Sequence, residues 1–366
     1  MRIIKKVILR GALLLVAATF LACPGKMDPA ATLNGYMQQE YLHSELIPVY
    51  VVSNRSGVGQ DCRNQSFGVE SAPSLRFGIC EINVPEQHAI GTIELSAAST
   101  ADPKRWFKLG RYRSRDITKF LSELGSQSGQ SVLVFVHGFN VKFEEAVMRA
   151  AQIRYDVKHQ GPIVLFSWPA GSTEGLLQQF LLNQTYAQNK TNAANSVTHF
   201  SAFWRQLAAS EHRPLHLVVH SMGHQVVLPA LSQLNTEGQK QLVAELVLNA
   251  PDYATLDFKK EAAGLRSISR RVTLYCSPGD NALIASVQFN GSHRIGQCAR
   301  VDGIDVINVN EIDDPVLGVG GLGHGYYSGR AILTDLYQTI LGVAVQKRLF
   351  IRASGPNNPE NYILRN

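Results

Sequence analysis

Residues 215–223 read LHLVVHSMG, and this stretch decides the fold. The run from Leu215 to Val219 is largely apolar and rich in β-branched side chains, as in a strand buried on both faces. The residues from His224 to Leu234 have the pattern of a helix. A strand that passes straight into a helix needs a sharp turn, and the small residues Ser221 and Gly223 suit one. We therefore predict a strand, a tight turn with Ser221 at its apex, and a helix.

Apolar strand patterns alternating with helical patterns continue on both sides of this stretch. Buried-type strands are predicted at Val132–Val136, Ile163–Ser167, Leu215–His220, Ala244–Asn249, Val272–Cys276 and Ile304–Val309. Helices are predicted between them, at Phe143–Asp156, Ser196–Ala209 and His224–Leu234. Continuous apolar strands that alternate with helices indicate a parallel sheet with both faces covered. The expected fold class is therefore α/β, with a mostly parallel, doubly wound sheet flanked by helices.

The region before Val132 has shorter β-type runs, separated by turn residues, at Ile47–Ser53, Phe77–Val84 and Ile90–Leu95. We assign residues 41–350 to a single domain. Residues 170–195 are polar around an apolar centre, which indicates either a cap over a site or a surface helix. Residues 351–366 are assigned to a C-terminal tail, which is predicted to be weakly ordered from Ser354 onward.

The first 23 residues have the pattern of a signal peptide. A basic start precedes the apolar run Gly11–Ala22, which is too short to span a bilayer comfortably. The run ends in Phe20-Leu21-Ala22-Cys23, which resembles a bacterial lipobox, where the cysteine becomes the lipidated N-terminus. We expect export to the bacterial cell envelope, a lipid anchor on Cys23 facing the periplasm, and a tether over residues 24–40. An ordinarily cleaved signal and an uncleaved anchor are the alternatives.

Composition and charge exclude several classes of protein. The chain is 45% hydrophobic and 17% charged, which is enough to fill a core and excludes a disordered protein. Four of the 35 basic residues precede Cys23, so the remaining chain has 31 bases against 29 acids. Because that remainder has no basic run, we expect no binding to nucleic acid.

Four cysteines remain after Cys23, and they form two local pairs. An oxidising compartment favours disulfides Cys62–Cys80 and Cys276–Cys298, whereas four separate buried thiols are the alternative. No cysteine or histidine cluster has the spacing of a metal site. We therefore expect neither a metal nor an organic cofactor.

The predicted turn at Ser221 matches a nucleophile elbow of the G-x-S-x-G type. Gly223 fills the second glycine position, but Val219 stands where the first glycine is usual, and a β-branched residue there is expected to crowd the backbone. A serine hydroxyl is a poor nucleophile and needs a base. We predict that Ser221 is a nucleophile; an ordinary helix N-cap is the alternative.

In folds with this elbow, the acid and then the histidine follow the serine along the chain. Asp280 ends the turn Ser277-Pro278-Gly279-Asp280, which follows the predicted strand Val272–Cys276. It is the predicted acid, with Asp252 as the alternative acid. His324 is the only histidine beyond Ile304–Val309 and is the predicted base. His293, which precedes that strand, is the alternative base.

The segment Val136-His137-Gly138-Phe139-Asn140 follows another buried strand. Acyl transfer needs donors aimed at a developing oxyanion. The predicted donors are the backbone N–H of Met222 and that of Phe139 or Asn140. We expect Gly138 to allow close approach of the backbone, and His137 to be a structural hydrogen-bonding residue rather than a base.

With these residues in place, the sequence resembles uncharacterised bacterial α/β-hydrolases of the esterase/lipase superfamily, filed as a domain of unknown function. The likeness spans residues 45–345 and is carried by the motifs VHGFN at 136–140, FEEA at 143–146, FSWP at 166–169, HSMG at 220–223, APD at 250–252, DNAL at 280–283 and RIG at 294–296. It implies an α/β-hydrolase fold and a hydrolase without a settled substrate. Many members carry an Asp-Arg pair after a tyrosine, where this chain has Tyr186 followed by Asn189-Lys190.

The expected function is that of a serine hydrolase. Ser221, His324 and Asp280 would cleave an ester or other acyl bond of a small-molecule or lipid substrate through an acyl-enzyme intermediate. A peptidase or an acyltransferase with the same three residues is one alternative. A catalytically idle envelope binding protein is the other, and Val219 is the feature that favours it.

Overall fold

A computed structural model describes residues 45–96, 102–172, 182–310 and 324–365. The predicted signal peptide, Cys23 and the tether lie outside this part of the chain, as does the centre of the possible cap. The strands are β1 Glu45–Arg55, β2 Ser71–Val84, β3 Lys108–Arg115, β4 Val132–Val136, β5 Ile163–Ser167, β6 Leu215–His220, β7 Val243–Asn249, β8 Ser269–Cys276, β9 Asp305–Asn308, β10 Ile351–Ala353 and β11 Tyr362–Leu364. The helices are α1 Ile117–Gly125, α2 Phe143–Asp156, α3 Leu182–Ser210, α4 His224–Thr236, α5 Thr255–Ile268, α6 Asn281–Asn290 and α7 Arg330–Ile340.

The strands form one sheet in the order β10-β11-β9-β8-β7-β6-β4-β5-β1-β2-β3. All neighbouring pairs from β11 to β1 are parallel, whereas β2, β3 and β10 join through antiparallel pairs. The chain runs from β4 to β5 on one side and later to β6 on the other. The order therefore reverses between β4 and β6, and sheets of this kind bind ligands beyond the carboxyl ends of the strands at such a point.

Helices cover both faces of this sheet because its inner strands are apolar on both faces. Alternate residues of β4 enter different apolar clusters: Val134 packs on one side and Phe135 on the other. The first cluster includes residues of α3, α4 and α5, and the second includes residues of α2 and α7. The observed architecture is the predicted mostly parallel α/β sheet flanked by helices.

Helix α3 extends from Leu182 to Ser210 and is longer than the predicted helix at Ser196–Ala209. It includes residues 182–195 of the possible cap, and residues 173–181 lie outside the described part. Among the helices that the structure describes, none is long and apolar enough to cross a membrane.

The prediction of a strand at Ile90–Leu95 was wrong. The backbone forms a turn at Ile90 and Gly91 and is irregular from Thr92 to Leu95. Side-chain bonds hold this segment instead of a ladder: Glu94 accepts hydrogen bonds from the Ala89 N–H, at 2.8 Å, and from the Thr92 hydroxyl. Strand β3 and helices α1, α5, α6 and α7 were not predicted from the sequence.

The prediction of weak order from Ser354 onward was also wrong. β11 pairs in parallel with β9, β10 pairs with β11, and Leu364 is fully buried. The Arg300 guanidinium holds the connecting turn by donating to the carbonyls of Gly355 and Glu360. Two three-residue strands are too short to give a period-2 pattern that sequence reading detects.

The structure has both disulfides, Cys62–Cys80 and Cys276–Cys298. The second joins the end of β8 to a residue beyond α6, with 22 residues of sequence separation. It therefore closes the segment that contains Asp280 and α6 into a loop.

A buried histidine is held between two carboxylates on the α2 side of the sheet. His88 Nδ1 lies 2.9 Å from Glu94 Oε2, and its Nε2 lies 2.8 Å from Asp156 Oδ1. Burial alone would lower the pKa of His88, but hydrogen bonds and charges from both carboxylates outweigh it and raise the pKa to about 9.

We predict that this ion pair makes stability depend on pH. A histidine whose pKa rises on folding stabilises the protein fully below its unfolded pKa of about 6.5. That contribution, about 3 kcal/mol for such a shift, is lost as pH rises through the folded value. Urea unfolding at pH 6 and pH 10 measures it, with His88→Gln as the control. Equal pH dependence in the wild type and His88→Gln would contradict the prediction.

Candidate active site

Ser221 lies at the carboxyl end of β6, at the start of a 3₁₀ turn Ser221–Gly223 that leads into α4. Its backbone φ is 52°, a left-handed conformation that residues other than glycine rarely adopt. The turn is held by hydrogen bonds to the Ser221 carbonyl from His224 Nδ1, at 2.6 Å, and from the Asp252 N–H, at 3.3 Å. Strained residues persist where the surroundings over-determine them, and they cluster at functional sites.

Two glycines let the loop after β4 meet this turn. A Cβ on Gly138 would lie 2.7 Å from Ser221 Cβ, and one on Gly223 would lie 2.5 Å from the His137 carbonyl oxygen. Val219 is fully buried in the apolar cluster opposite Val136 of β4. The closest approach is therefore made at Gly138 and Gly223, and the sheet core accommodates Val219.

The structure brings Ser221, His324 and Asp280 together. His324 Nε2 lies 2.7 Å from Ser221 Oγ, and His324 Nδ1 lies 2.6 Å from Asp280 Oδ2. A carboxylate only accepts hydrogen bonds, so Nδ1 carries the proton and Nε2 presents its lone pair to the serine hydroxyl. The His324 side chain is 15% exposed, whereas the Asp280 side chain is fully buried. The arrangement can move a proton from the serine to the imidazole.

Asp280 is also the N-cap of α6. Its Oδ1 accepts from the backbone N–H groups of Ala282, at 3.0 Å, and Leu283, at 3.1 Å. The helix N-terminus therefore fixes one carboxylate oxygen and leaves the other for His324.

The alternative acid, Asp252, lies in a different network. Its Oδ2 accepts from the Tyr186 hydroxyl at 2.8 Å, its Oδ1 accepts from the Ser286 hydroxyl, and Arg294 Nε lies 3.3 Å from Oδ1. The alternative base, His293, has its ring Nδ1 2.9 Å from the Thr255 hydroxyl. Among the described hydrogen bonds, none joins the side chain of Asp252 or His293 to Ser221, Asp280 or His324.

Two further histidines flank the serine. The His220 ring stacks on Tyr327 with centroids 3.7 Å apart, and it lies 4.9 Å from the His324 ring. Burial lowers the pKa of His220 well below its ordinary value and that of His224 to about 3. Both are neutral near pH 7, so neither adds a charge that would compete for the proton on His324.

Two of the predicted oxyanion donors, the N–H groups of Phe139 and Asn140, differ in whether each already has a hydrogen-bond acceptor. The Asn140 N–H donates to Asn189 Oδ1 at 3.1 Å, so it is occupied. Within the described part of the chain, no acceptor takes a hydrogen bond from the Phe139 N–H. His137 Nδ1 lies 3.1 Å from the Gly138 carbonyl oxygen. Since the C=O and N–H of a trans peptide point in opposite directions, this bond directs the Phe139 N–H away from His137.

A buried arginine, Arg55, holds the loop that follows β4. Arg55 is fully buried, and its guanidinium donates to the carbonyls of Gly68 (3.1 Å), Val141 (2.8 Å) and Ala170 (2.7 Å) and to Ser167 Oγ (2.8 Å). Its Nη2 also lies 3.3 Å from His137 Nε2, so that nitrogen is an acceptor and the His137 proton is on Nδ1. Burial and the Arg55 charge lower the pKa of His137 well below its ordinary value, so His137 is neutral.

Sequence reasoning missed the roles of Arg55 and Asn189. Arg55 is the last residue of β1, separated from its apolar run by Ser53 and Asn54, and an arginine at a strand end has no distinctive pattern. For Asn189 the resemblance gave a signal, because it places Asn189 where an aspartate is expected, but its hydrogen-bond partners are 18 and 49 residues away. Among the described residues, no group of three or more His, Cys, Asp or Glu side chains could hold a metal ion.

Comparison with known proteins identifies the class. The profile of the family described as "Alpha/beta hydrolase of unknown function (DUF900)" matches residues 113–343. This covers more than half of the chain, so the protein belongs to that family of α/β hydrolases. No curated protein matches the chain. Phospholipase PlaB from Legionella pneumophila is a similar solved structure, with 9% identity over 64% of this chain and 69% of that chain and a TM-score of 0.29. A likeness at that score carries no argument about function.

The close packing at Gly138 gives a stability prediction. In Gly138→Ala the new methyl group would collide with Ser221 Cβ, and overpacking of this kind costs about 1–3 kcal/mol. Urea unfolding measures the loss. The matched control is Gly125→Ala at the end of α1, where a Cβ would meet nothing within 4 Å. Equal stability of Gly138→Ala and the wild type would show that the loop yields easily.

Proposed function

We propose that the protein is a serine hydrolase that cleaves an ester or other acyl bond of a small-molecule or lipid substrate. The observation that carries this proposal is the unbroken chain of contacts from Asp280 through His324 to Ser221, at 2.6 Å and 2.7 Å. Membership of an α/β hydrolase family supports it.

In the proposed mechanism, Ser221 Oγ attacks the acyl carbonyl while His324 Nε2 takes its proton. The tetrahedral intermediate places its oxyanion between the N–H groups of Met222 and Phe139. His324 then protonates the leaving group, and the acyl-enzyme forms. Water attacks the acyl-enzyme with His324 again as base, while Asp280 holds the imidazole with its proton on Nδ1.

The Asn140 N–H has no part in this mechanism because Asn189 already binds it. Asp252 is also left out, since its carboxylate binds Tyr186, Ser286 and Arg294. The alternative function, a catalytically idle binding protein, rested on the backbone crowding expected at Val219. Because Val219 packs within the core and Ser221 still reaches His324, no observation now favours that alternative.

We predict that a fluorophosphonate probe labels the purified chain from residue 24 onward. Labelling should disappear in Ser221→Ala, because the phosphorus is attacked by the activated hydroxyl. Ser286→Ala is a matched control: Ser286 is also buried and bonds an aspartate, but it has no histidine contact among the described residues. It should retain labelling, which is read by in-gel fluorescence.

Labelling that persists in Ser221→Ala, or a folded wild type that stays unlabelled, would contradict the proposal. The second result would support a binding protein on a hydrolase fold. Product analysis with an added alcohol acceptor separates hydrolysis from acyl transfer, and a peptide substrate tests for a peptidase.

We further propose that the protein is exported to the bacterial cell envelope and anchored by a lipid on Cys23. The basic and apolar start followed by the lipobox-like FLAC sequence supports this proposal, and two disulfides suit an oxidising compartment.

We predict that the full chain, produced in bacteria fed an alkyne fatty acid, becomes labelled and enters the detergent phase on Triton X-114 partition. Cys23→Ser should lose both properties while the disulfides still form. A wild-type chain that is cut but unlabelled would contradict the anchor and support an ordinarily cleaved signal.

A further inference from the structure

The loop that presents the Phe139 N–H is tied to helix α3 by one buried side chain, that of Asn189. Its Oδ1 accepts from the N–H groups of Asn140, at 3.1 Å, and Gly171, at 3.0 Å. Its Nδ2 donates to the Gly171 carbonyl at 2.8 Å. Asn189 is fully buried, so water does not compete for these bonds.

These three bonds connect the two loops that follow neighbouring strands. Asn140 follows β4, Gly171 follows β5, and both adopt positive φ, of 54° and 116° respectively. A non-glycine residue in that conformation persists only where its neighbours hold it. The bond from Asn189 to the Asn140 N–H is such a restraint, one residue beyond the proposed oxyanion donor.

The peptide bonds on both sides of Phe139 are therefore fixed by different side chains. The Gly138 carbonyl is held by His137, and the Asn140 N–H is held by Asn189. With both neighbours held, the Phe139 N–H keeps one direction without a partner of its own. Pre-set donors of this kind stabilise a transition state because they need not reorganise during the reaction.

We propose that Asn189 is a positioning residue that holds the oxyanion loop in its working conformation. This inference rests on the proposed hydrolase function, since it assigns the Phe139 N–H to the oxyanion. Asn189 touches no reacting atom. Its effect passes through the Asn140 peptide, so it should change transition-state stabilisation rather than substrate binding.

Helix α3 offers a matched control three residues further on. Asn192 is also buried, and its Nδ2 donates to the carbonyls of Val69, at 2.9 Å, and Pro169, at 2.7 Å. No described hydrogen bond joins it to residues 137–141. Asn192→Ala therefore removes comparable bonds from the same helix and leaves the oxyanion loop tied.

We expect Asn189→Ala to lower kcat on a p-nitrophenyl ester about 100-fold with little change in KM, because a donor displaced by about 1 Å loses that much. Binding of a trifluoromethyl ketone, which forms a tetrahedral adduct, should weaken in parallel. Asn189→Asp keeps an acceptor for both N–H groups but loses the donor to the Gly171 carbonyl, so it should recover only part of the activity. Asn192→Ala should stay within a few-fold of wild type, and thermal melts would confirm that each variant is folded.

A folded Asn189→Ala variant with wild-type kcat would overturn the proposal, as would an equal loss of kcat in Asn192→Ala. Failure of the hydrolase function itself would appear differently, as a wild type without turnover. Hydrogen exchange at the Asn140 amide tests the restraint without any activity. It should become at least about tenfold faster in Asn189→Ala and stay unchanged in Asn192→Ala; unchanged exchange in both would overturn the restraint.

Discussion

The contact on which the site depends is the approach of Gly138 to Ser221. Two neighbouring parallel strands, β4 and β6, end beside each other where the strand order reverses, and the backbone of one connection lies against the side chain of the other. A methyl group in place of the Gly138 hydrogen would leave only 2.7 Å to Ser221 Cβ. The proposed nucleophile and oxyanion donors are therefore parts of one packing contact.

The loop that contains Gly138 is held in place by hydrogen bonds from the buried Arg55. Burial of its guanidinium has a large desolvation cost. Removing a guanidinium from water is expensive by several kcal/mol, and a carboxylate normally offsets it. Among the described residues no carboxylate pairs with Arg55; carbonyls from three connections and one hydroxyl take its hydrogens instead. Arg55 lies beneath the loop that follows β4. Its charge helps to lower the pKa of His137, and its contact with His137 Nε2 leaves Nδ1 to hold the Gly138 carbonyl.

Strands β4 to β9 could be predicted because each lies in a largely apolar run. The placement of Ser221, Asp280 and His324 after β6, β8 and β9 follows from chain order. The supporting residues could not be predicted in the same way. Asn189 and Arg55 act through hydrogen bonds to backbone groups many residues away. Because every residue has a backbone carbonyl, the sequence does not indicate which of them accepts such a bond. The two tail strands could not be predicted for a related reason. β11 is held by pairing with β9, and β10 by pairing with β11, rather than by their own composition.

The two aspartates show why similar sequence positions give different chemistry. Asp252 and Asp280 each follow a parallel strand, and both are buried. The oxygens of Asp252 bind a tyrosine, a serine and an arginine, so it fastens α3 to α6. Asp280 gives one oxygen to the start of α6 and keeps the other for His324. The disulfide Cys276–Cys298 closes the segment that contains α6, so the helix that orients the carboxylate is itself held at both ends. In the proposed mechanism Asp280 stays in place at the start of α6, and His324, whose side chain is 15% exposed, moves the proton from Ser221 to the leaving group.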